Sequence, residues 1–478
     1  MTTRQGFMEK IRVPGGTGVF EKCLLAMPLL LLPLLFGGAR PWLWSAVAAV
    51  FFSGLVIVLW KDRVSITPAT VVDRHFLVPG LLLLYPFFQL VPLPASLLAL
   101  ISPHRAIVLA DAARASLMPV RAFTISYGTV TTLFSALWWV FLGAFALLLQ
   151  RVVRTDKGLE RFVIFLFVVG FLESFYGLLQ VLVPTLGVLA SQSPDSIFAG
   201  IARGTFINRN HYAAFLGMIW PVLVAYIMTL KSSPDEARAG LRRRGSTKLN
   251  EKQITLVFIT AMVLLSLVFS MSRGGIIGAL IALTVFIAFG RGAQWKGLFI
   301  SLVGCWLIVF SYGAVIGFDG ILERFQTISD DAPGRMEIWR DCRHIVEDHP
   351  LTGVGLGNNA LVFDIYQTHL PDDLHASHAH NDYLQLATEL GLPAAIVISL
   401  LVWFFWWKTA LNLRRSCSPA HDRRRMLKLG ALAGTAAFLC HSWVEFNWQI
   451  PANQLYFIAL LVIMGTSPTQ QPERPAQS

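Results

Sequence analysis

Apolar residues in this chain come in uninterrupted runs of about twenty, the length of helix that crosses a hydrocarbon core about 30 Å thick. Such runs lie near 19–37, 42–60, 76–94, 130–150, 161–183, 211–230, 253–271, 274–290, 297–316, 391–411, 428–446 and 452–467. Lipid offers no water to satisfy backbone amides, so each run is read as a helix. The expected fold is all-α, a polytopic transmembrane helical bundle of about twelve spans forming a single domain over 1–478. One polar segment, 317–390, is long enough to be a largely helical loop.

Composition agrees with the pattern. Of 478 residues, 55% are hydrophobic and 14% charged, too little charge to keep a soluble protein of this size wetted. Charge placement sets the expected orientation. With the N-terminus inside, the cytoplasmic stretches hold 28 of the 39 lysines and arginines, including the Arg242–Arg244 and Arg423–Arg425 runs. Both termini are then cytoplasmic and the 317–390 loop is extracytoplasmic. The N-terminus lacks a signal-peptide cleavage pattern, so the first span is expected to stay as an anchor. The net charge of +11 follows from this bias towards an anionic inner leaflet and calls for no nucleic acid. Of the five cysteines only Cys342 falls in an outer loop, so no disulfide partner is expected there.

The 317–390 loop concentrates the chemistry, with 13 of the 28 acidic residues and 6 of the 11 histidines. Arg335, Trp339, Cys342 and Val346 recur at helical spacing, which predicts a helix lying on the membrane surface. Gly353-Val354-Gly355-Leu356-Gly357-Asn358 reads as a flexible turn. No strand precedes it, so it is not a nucleotide-binding fingerprint. Then come His375, His378 and His380, followed by Asn381 and Asp382. Three readings stand open: a metal site with Asp372, Asp373 or Asp382, a neutral imidazole as general base, and a solvated polar loop.

Two arginines beside glycines favour an anion. Arg273, in Ser272-Arg273-Gly274-Gly275, is expected at a helix N-terminus, where glycine lets a ligand approach the backbone. Arg203, in Arg203-Gly204-Thr205-Phe206, falls on the same side, just before Asn208-Arg209-Asn210-His211. A guanidinium suits a phosphate because it is always charged and binds in a bidentate manner. Within the spans, Glu173 is either functional or a paired structural residue, and Gln180 is a candidate polar lining residue. His441 and Glu445 stand four apart and could pair.

The motifs Ser272–Gly275, Gly334-Arg335 with Ile338-Trp339, His349–Asn358, and His378–Gln385 with Glu389–Pro393 run in one order across 270–395. In that order they resemble the bacterial O-antigen ligase group, which includes O-antigen polymerases and protein O-oligosaccharyltransferases; the signature region is 255–405. The resemblance implies a membrane glycosyltransferase of surface polysaccharide biosynthesis in the bacterial cytoplasmic membrane. It would act at the outer face, with a glycan on undecaprenyl diphosphate as donor. The implied acceptor is a glycan, lipid A-core or a protein, and the implied chemistry is a metal-independent, cofactor-free displacement with inversion. His380, with His378 beside it, would be the base. Arg273 and Arg203 would hold the diphosphate, and Asn381, Arg335 and Gln180 would support the site. No extended C-terminal domain is evident for a protein acceptor, so ligase or polymerase is the expected type. The alternatives are a polysaccharide or lipid transporter without chemistry, and a metal-dependent extracytoplasmic hydrolase using His375, His378 and His380.

Overall fold

The computed structural model describes residues 18–62, 82–116, 123–189, 198–230, 251–290, 328–369, 375–415 and 422–466, with side chains of the sixth segment from Gly334 onward. The expected span at 297–316, most of the loop carrying Arg242–Arg244, and Asp372 and Asp373 lie outside the described residues. Among those described, the fold is helical with no strand, only an isolated bridge between Phe36 and Phe206.

The bundle begins with α1 (Val19–Leu34) and α2 (Pro41–Asp62). Two short helices follow, α3 (Ala95–Ile101) and α4 (Pro103–Ser116), then α5 (Thr129–Val153), α6 (Asp156–Leu182), α7 (Arg209–Thr229), α8 (Glu251–Phe269) and α9 (Arg273–Phe289). After the polar segment with α10 (Ile328–Asp348) and α11 (Asn359–Tyr366) come α12 (Asp382–Arg415), α13 (Arg423–His441) and α14 (Pro451–Gly465). Six of these helices are long and apolar enough to cross a membrane: α2, α5, α6, α7, α8 and α12; α9 and α14 are shorter apolar helices. The chain is a multi-pass membrane protein.

α7 is the axis, with almost every side chain from His211 to Tyr226 buried. α13 packs on it because its sequence is small where the two meet. A β-carbon on Gly430 would sit 2.7 Å from the Pro221 carbonyl oxygen, and one on Gly434 2.5 Å from that of Met218. Only glycine lets the two backbones approach so closely, which is how helices gain contact where lipid supplies no hydrophobic drive.

Two boundaries depart from the hydrophobic pattern. The run at 428–446 suggests helix throughout, yet α13 ends at His441 and the chain turns, placing Trp443–Glu445 in a loop. α12 is broken at Gly391, whose φ of +78° no other residue adopts readily. There Gly353 and Gly391 interlock. A β-carbon on Gly353 would meet the Glu389 carbonyl at about 2.5 Å, and one on Gly391 would meet that of Leu351 at 2.4 Å.

The polar segment also differs from expectation. α10 turns Ile338, Cys342 and Ile345 into a small second core with Val354, Val362, Phe363, Ala376 and Ala379. Cys342 and Trp339, read as part of a face lying on a membrane, are instead packed against this core of the protein itself. The glycine-rich turn is pinned rather than flexible. Val354 N–H donates to the Thr388 carbonyl, Gly355 N–H to that of Glu389, Leu356 N–H to Gln89 Oε1, and Gly357 N–H to Glu389 Oε2.

Candidate active site

Helix connections gather at one end of the bundle. The turn after α6 is held by side chains from within that helix. Gln180 Oε1 accepts from Arg203 N–H at 3.0 Å, and its amide donates to the Gly204 carbonyl at 2.9 Å. Glu173 is fully buried; its carboxylate accepts from Thr205 Oγ1 at 2.6 Å and Thr205 N–H at 3.1 Å. Glycine at 204 makes room for that carboxylate, 2.4 Å from where a β-carbon would lie. Glu173 and Gln180 therefore act through the turn that carries Arg203. Arg203 is 5% exposed, with its guanidinium over Phe198 at 4.6 Å.

Ala202 N–H donates to the Phe269 carbonyl at the end of α8, which brings this turn to the segment leading into α9. Ser272 caps α9, its hydroxyl accepting from Gly275 N–H at 3.2 Å, and Arg273 is the first helical residue, half-buried. The two glycines serve packing rather than ligand approach. A β-carbon on Gly274 would fall 2.4 Å from the His441 ring, and one on Gly275 2.5 Å from Ala213.

Glu445 is the centre of the polar cluster, at 1% exposure. Its Oε1 accepts from Asn210 Nδ2 at 2.6 Å and pairs with Arg335, and its Oε2 faces His380 Nδ1 at 3.3 Å. Burial would raise the Glu445 carboxyl, but the His380 hydrogen bond and the Arg335 charge outweigh it and hold the group at about 2. The carboxylate is therefore ionised and can only accept, which assigns the His380 proton to Nδ1 and leaves the Nε2 lone pair free. The expected His441–Glu445 pair is replaced by these three partners, and His441 Nδ1 makes no hydrogen bond.

His380 has φ +47°, a left-handed conformation costly for a residue with a side chain. It directly precedes Asn381, whose Oδ1 accepts from Tyr383 and Leu384 N–H at 3.0 Å each and caps α12. Asn381 thus supports the site by fixing the backbone. His378 is differently placed: Gln385 Nε2 donates to its Nδ1 at 3.1 Å, and its ring stacks on Phe446 at 4.3 Å. Burial, with His380 nearby, pushes its imidazole down to about 4. Phe446 also meets the rings of His380 at 4.7 Å and His211 at 4.4 Å.

His375 stands apart, exposed and 3.4 Å from Asp364, while Asp382 Oδ2 accepts from Trp448 N–H at 2.9 Å. Among the described residues no three of His, Cys, Asp and Glu lie close enough to hold a metal ion. Of the residues singled out in the sequence, His378, His380, Asn381 and Arg335 join one cluster; Arg273 and Arg203 border it at the same bundle end. Glu445 as its centre, with Asn210, His211 and Phe446, was not legible in the sequence. The sequence offered only a possible His441–Glu445 pair and the motif Asn208–His211, with nothing to join them.

No curated protein matches the chain. Residues 257–399, from α8 through the polar segment into α12, match the family model described as O-antigen ligase. Over that region the chain is similar to the O-antigen ligase family.

Proposed function

We propose that this membrane enzyme of O-antigen ligase or polymerase type transfers a glycan from undecaprenyl diphosphate to an acceptor hydroxyl at the outer membrane face. The observation that carries the chemistry is His380 held by ionised Glu445 with Nε2 free. The acceptor oxygen attacks the anomeric carbon while the bond from that carbon to the phosphate oxygen breaks, its electron pair leaving on the diphosphate. His380 Nε2 takes the hydroxyl proton and later releases it to water. Glu445 orients the imidazole and stabilises the imidazolium formed. Arg273, at the positive end of α9, and Arg203 neutralise the charge that develops on the diphosphate. His378, with Nδ1 engaged by Gln385, shapes the pocket rather than accepting the proton.

Cleavage of a glycosyl diphosphate runs downhill, so the site supplies orientation and electrostatics and needs no nucleotide. The supporting residues gather at a helix-bundle end, not at mid-membrane as a transport path would require. The test uses purified enzyme in vesicles with an undecaprenyl-diphosphate glycan. Turnover is expected to persist in EDTA and to vanish in His380→Ala and in Arg273→Lys while both variants still insert. Full activity in His380→Ala excludes this base. Loss in EDTA with rescue by zinc favours the hydrolase-like metal reading.

A further inference from the structure

His378 and His380 flank one phenyl ring, that of Phe446. The first stacks on it at 4.3 Å and 24°, and the second meets it at 4.7 Å and 89°. Their nitrogens are set in opposite ways. Glu445 accepts from Nδ1 of His380 and leaves Nε2 with a lone pair. The partner of His378 is instead the Gln385 side-chain amide, and two other contacts fix which way round that amide lies. Its Oε1 accepts from Ala379 N–H at 3.1 Å, and its Nε2 donates to Glu389 Oε1 at 2.9 Å. The atom 3.1 Å from His378 Nδ1 is therefore the amide nitrogen, which has a second hydrogen to give. An NH2 group only donates, so Nδ1 accepts and carries no proton. Burial, with His380 nearby, holds this imidazole near 4, so the ring is neutral at pH 7. A neutral imidazole has one N–H, which places it at Nε2.

The fold locks this tautomer. Gln385 is 1% exposed, and the Glu389 carboxylate it serves also accepts from Gly357 N–H at 2.9 Å. Turning the amide over would set its oxygen against that buried carboxylate and leave Ala379 N–H unpaired, which costs far more than one hydrogen bond returns. His378 Nε2 has no hydrogen-bond partner among the described residues, and the ring is partly exposed, so its N–H is available to a ligand. Two imidazoles on one phenyl ring thus offer a lone pair and an N–H side by side.

We infer that His378, its tautomer set by Gln385, donates Nε2–H to an oxygen of the acceptor sugar beside the hydroxyl that His380 deprotonates. The inference rests on the transferase reading and deepens it. A single contact at His380 leaves the acceptor free to turn about the base, and a second one fixes the attacking oxygen in line. A neutral N–H suits an uncharged sugar oxygen, whereas the diphosphate is matched by the guanidinium groups of Arg273 and Arg203. His378 then contacts substrate, and Gln385 is a positioning residue acting through it.

The tautomers are read by NMR of the full chain in lipid nanodiscs at pH 7, with isotope-labelled histidine nitrogens. The signals lost in His378→Ala and His380→Ala assign the two rings. His378 is expected to be protonated at Nε2 and His380 at Nδ1. In Gln385→Glu a carboxylate accepts where the amide donated, so the His378 proton should move to Nδ1 with the ring still in place. His378 found protonated at Nδ1 in the unaltered protein would overturn the inference. Kinetics follow the same contact. His378→Ala and Gln385→Glu should each raise acceptor KM about tenfold, the scale of one neutral hydrogen bond, with donor KM unchanged. An acceptor lacking the neighbouring hydroxyl should lose the same factor with the unaltered enzyme and nothing further with His378→Ala. Additive losses, or a raised donor KM in place of a raised acceptor KM, would remove His378 from the acceptor and overturn the inference. Should Gln385→Glu fail to insert, the tautomer of the unaltered protein and the deoxy acceptor against His378→Ala decide it. Full activity in His380→Ala sinks the proposed base alone, because the His378 tautomer is measured without turnover.

Discussion

At the scale of single residues, His380 is held in place twice, by a left-handed backbone and by a buried ionised carboxylate. Strain of this kind persists only where the surroundings over-determine it. Replacing Glu445 with Gln should lower kcat about a hundredfold, in the range of general-base effects, with donor KM little changed. Glu445→Asp should recover part of the loss, and formate should partly rescue Glu445→Ala. A purely structural role for Glu445 predicts none of the rescue, so its absence would refute the positioning role. The same groups give a pH dependence. Glu445 titrates near 2 when folded against about 4.5 when unfolded, so its contribution is complete above pH 5 and is lost as pH falls through 4.5 towards 2. His378 and His349 are held near 4, burial being the main cause in each. Unfolded, they bind protons below about 6.5, so the polar segment should loosen between pH 6.5 and 4. Amide exchange over α10 and the 375–381 turn should be slow at pH 7 and accelerate through that window; a flat profile would show that neither histidine is coupled to folding.

Glycines decide the packing of whole elements. Ser272-Arg273-Gly274-Gly275 reads in the sequence as a place for a ligand to approach, because glycine and a helix N-terminus suggest an anion site. The structure gives the glycines to His441 and Ala213 instead, so the anion role proposed for this motif rests on Arg273 and not on the glycines. Gly274→Ala should therefore push the His441 ring away and shift Arg273, costing about 1–3 kcal/mol as overpacking does. A drop in melting temperature together with a raised donor KM is the expected signature, and an unchanged KM would show that Arg273 is not tied to this contact. The period of the α10 sequence announces an apolar face, but it cannot say whether lipid or protein covers it. Val354, Phe363 and Ala379 cover it here, and they lie in loops and a helix that the period does not relate to α10.

For the molecule as a whole, charge distribution carries the argument. At the bundle end opposite the cluster, Arg423 pairs with Glu160 at 2.7 Å, Arg424 with Asp156 at 2.7 Å, and Tyr226 donates to Glu160 at 2.8 Å. Among the described residues, Arg423 and Arg424 thus share one end with Glu160 and Asp156, and His378, His380 and His441 share the other. Single cysteines at Ser377 and Lys157 test the orientation in intact cells. An impermeant thiol reagent should modify the first from outside and the second only after permeabilisation; the reverse pattern would invert the protein and move the chemistry to the cytoplasm.

The sequence by itself determined that the chain is helical and membrane-embedded, because runs of about twenty apolar residues have no other stable form in lipid. It also picked out His378, His380, Arg203 and Arg273, since each sits in a short motif whose polar residues have no place in an apolar run. What it could not show was which carboxylate serves His380. Glu445 lies 65 residues from that histidine and 235 from Asn210, and a hydrogen bond between residues so far apart leaves no mark on local pattern. Only the packing of α7, α13 and α10 around one bundle end decided it, by burying the Glu445 carboxylate where three donors compensate the loss of water.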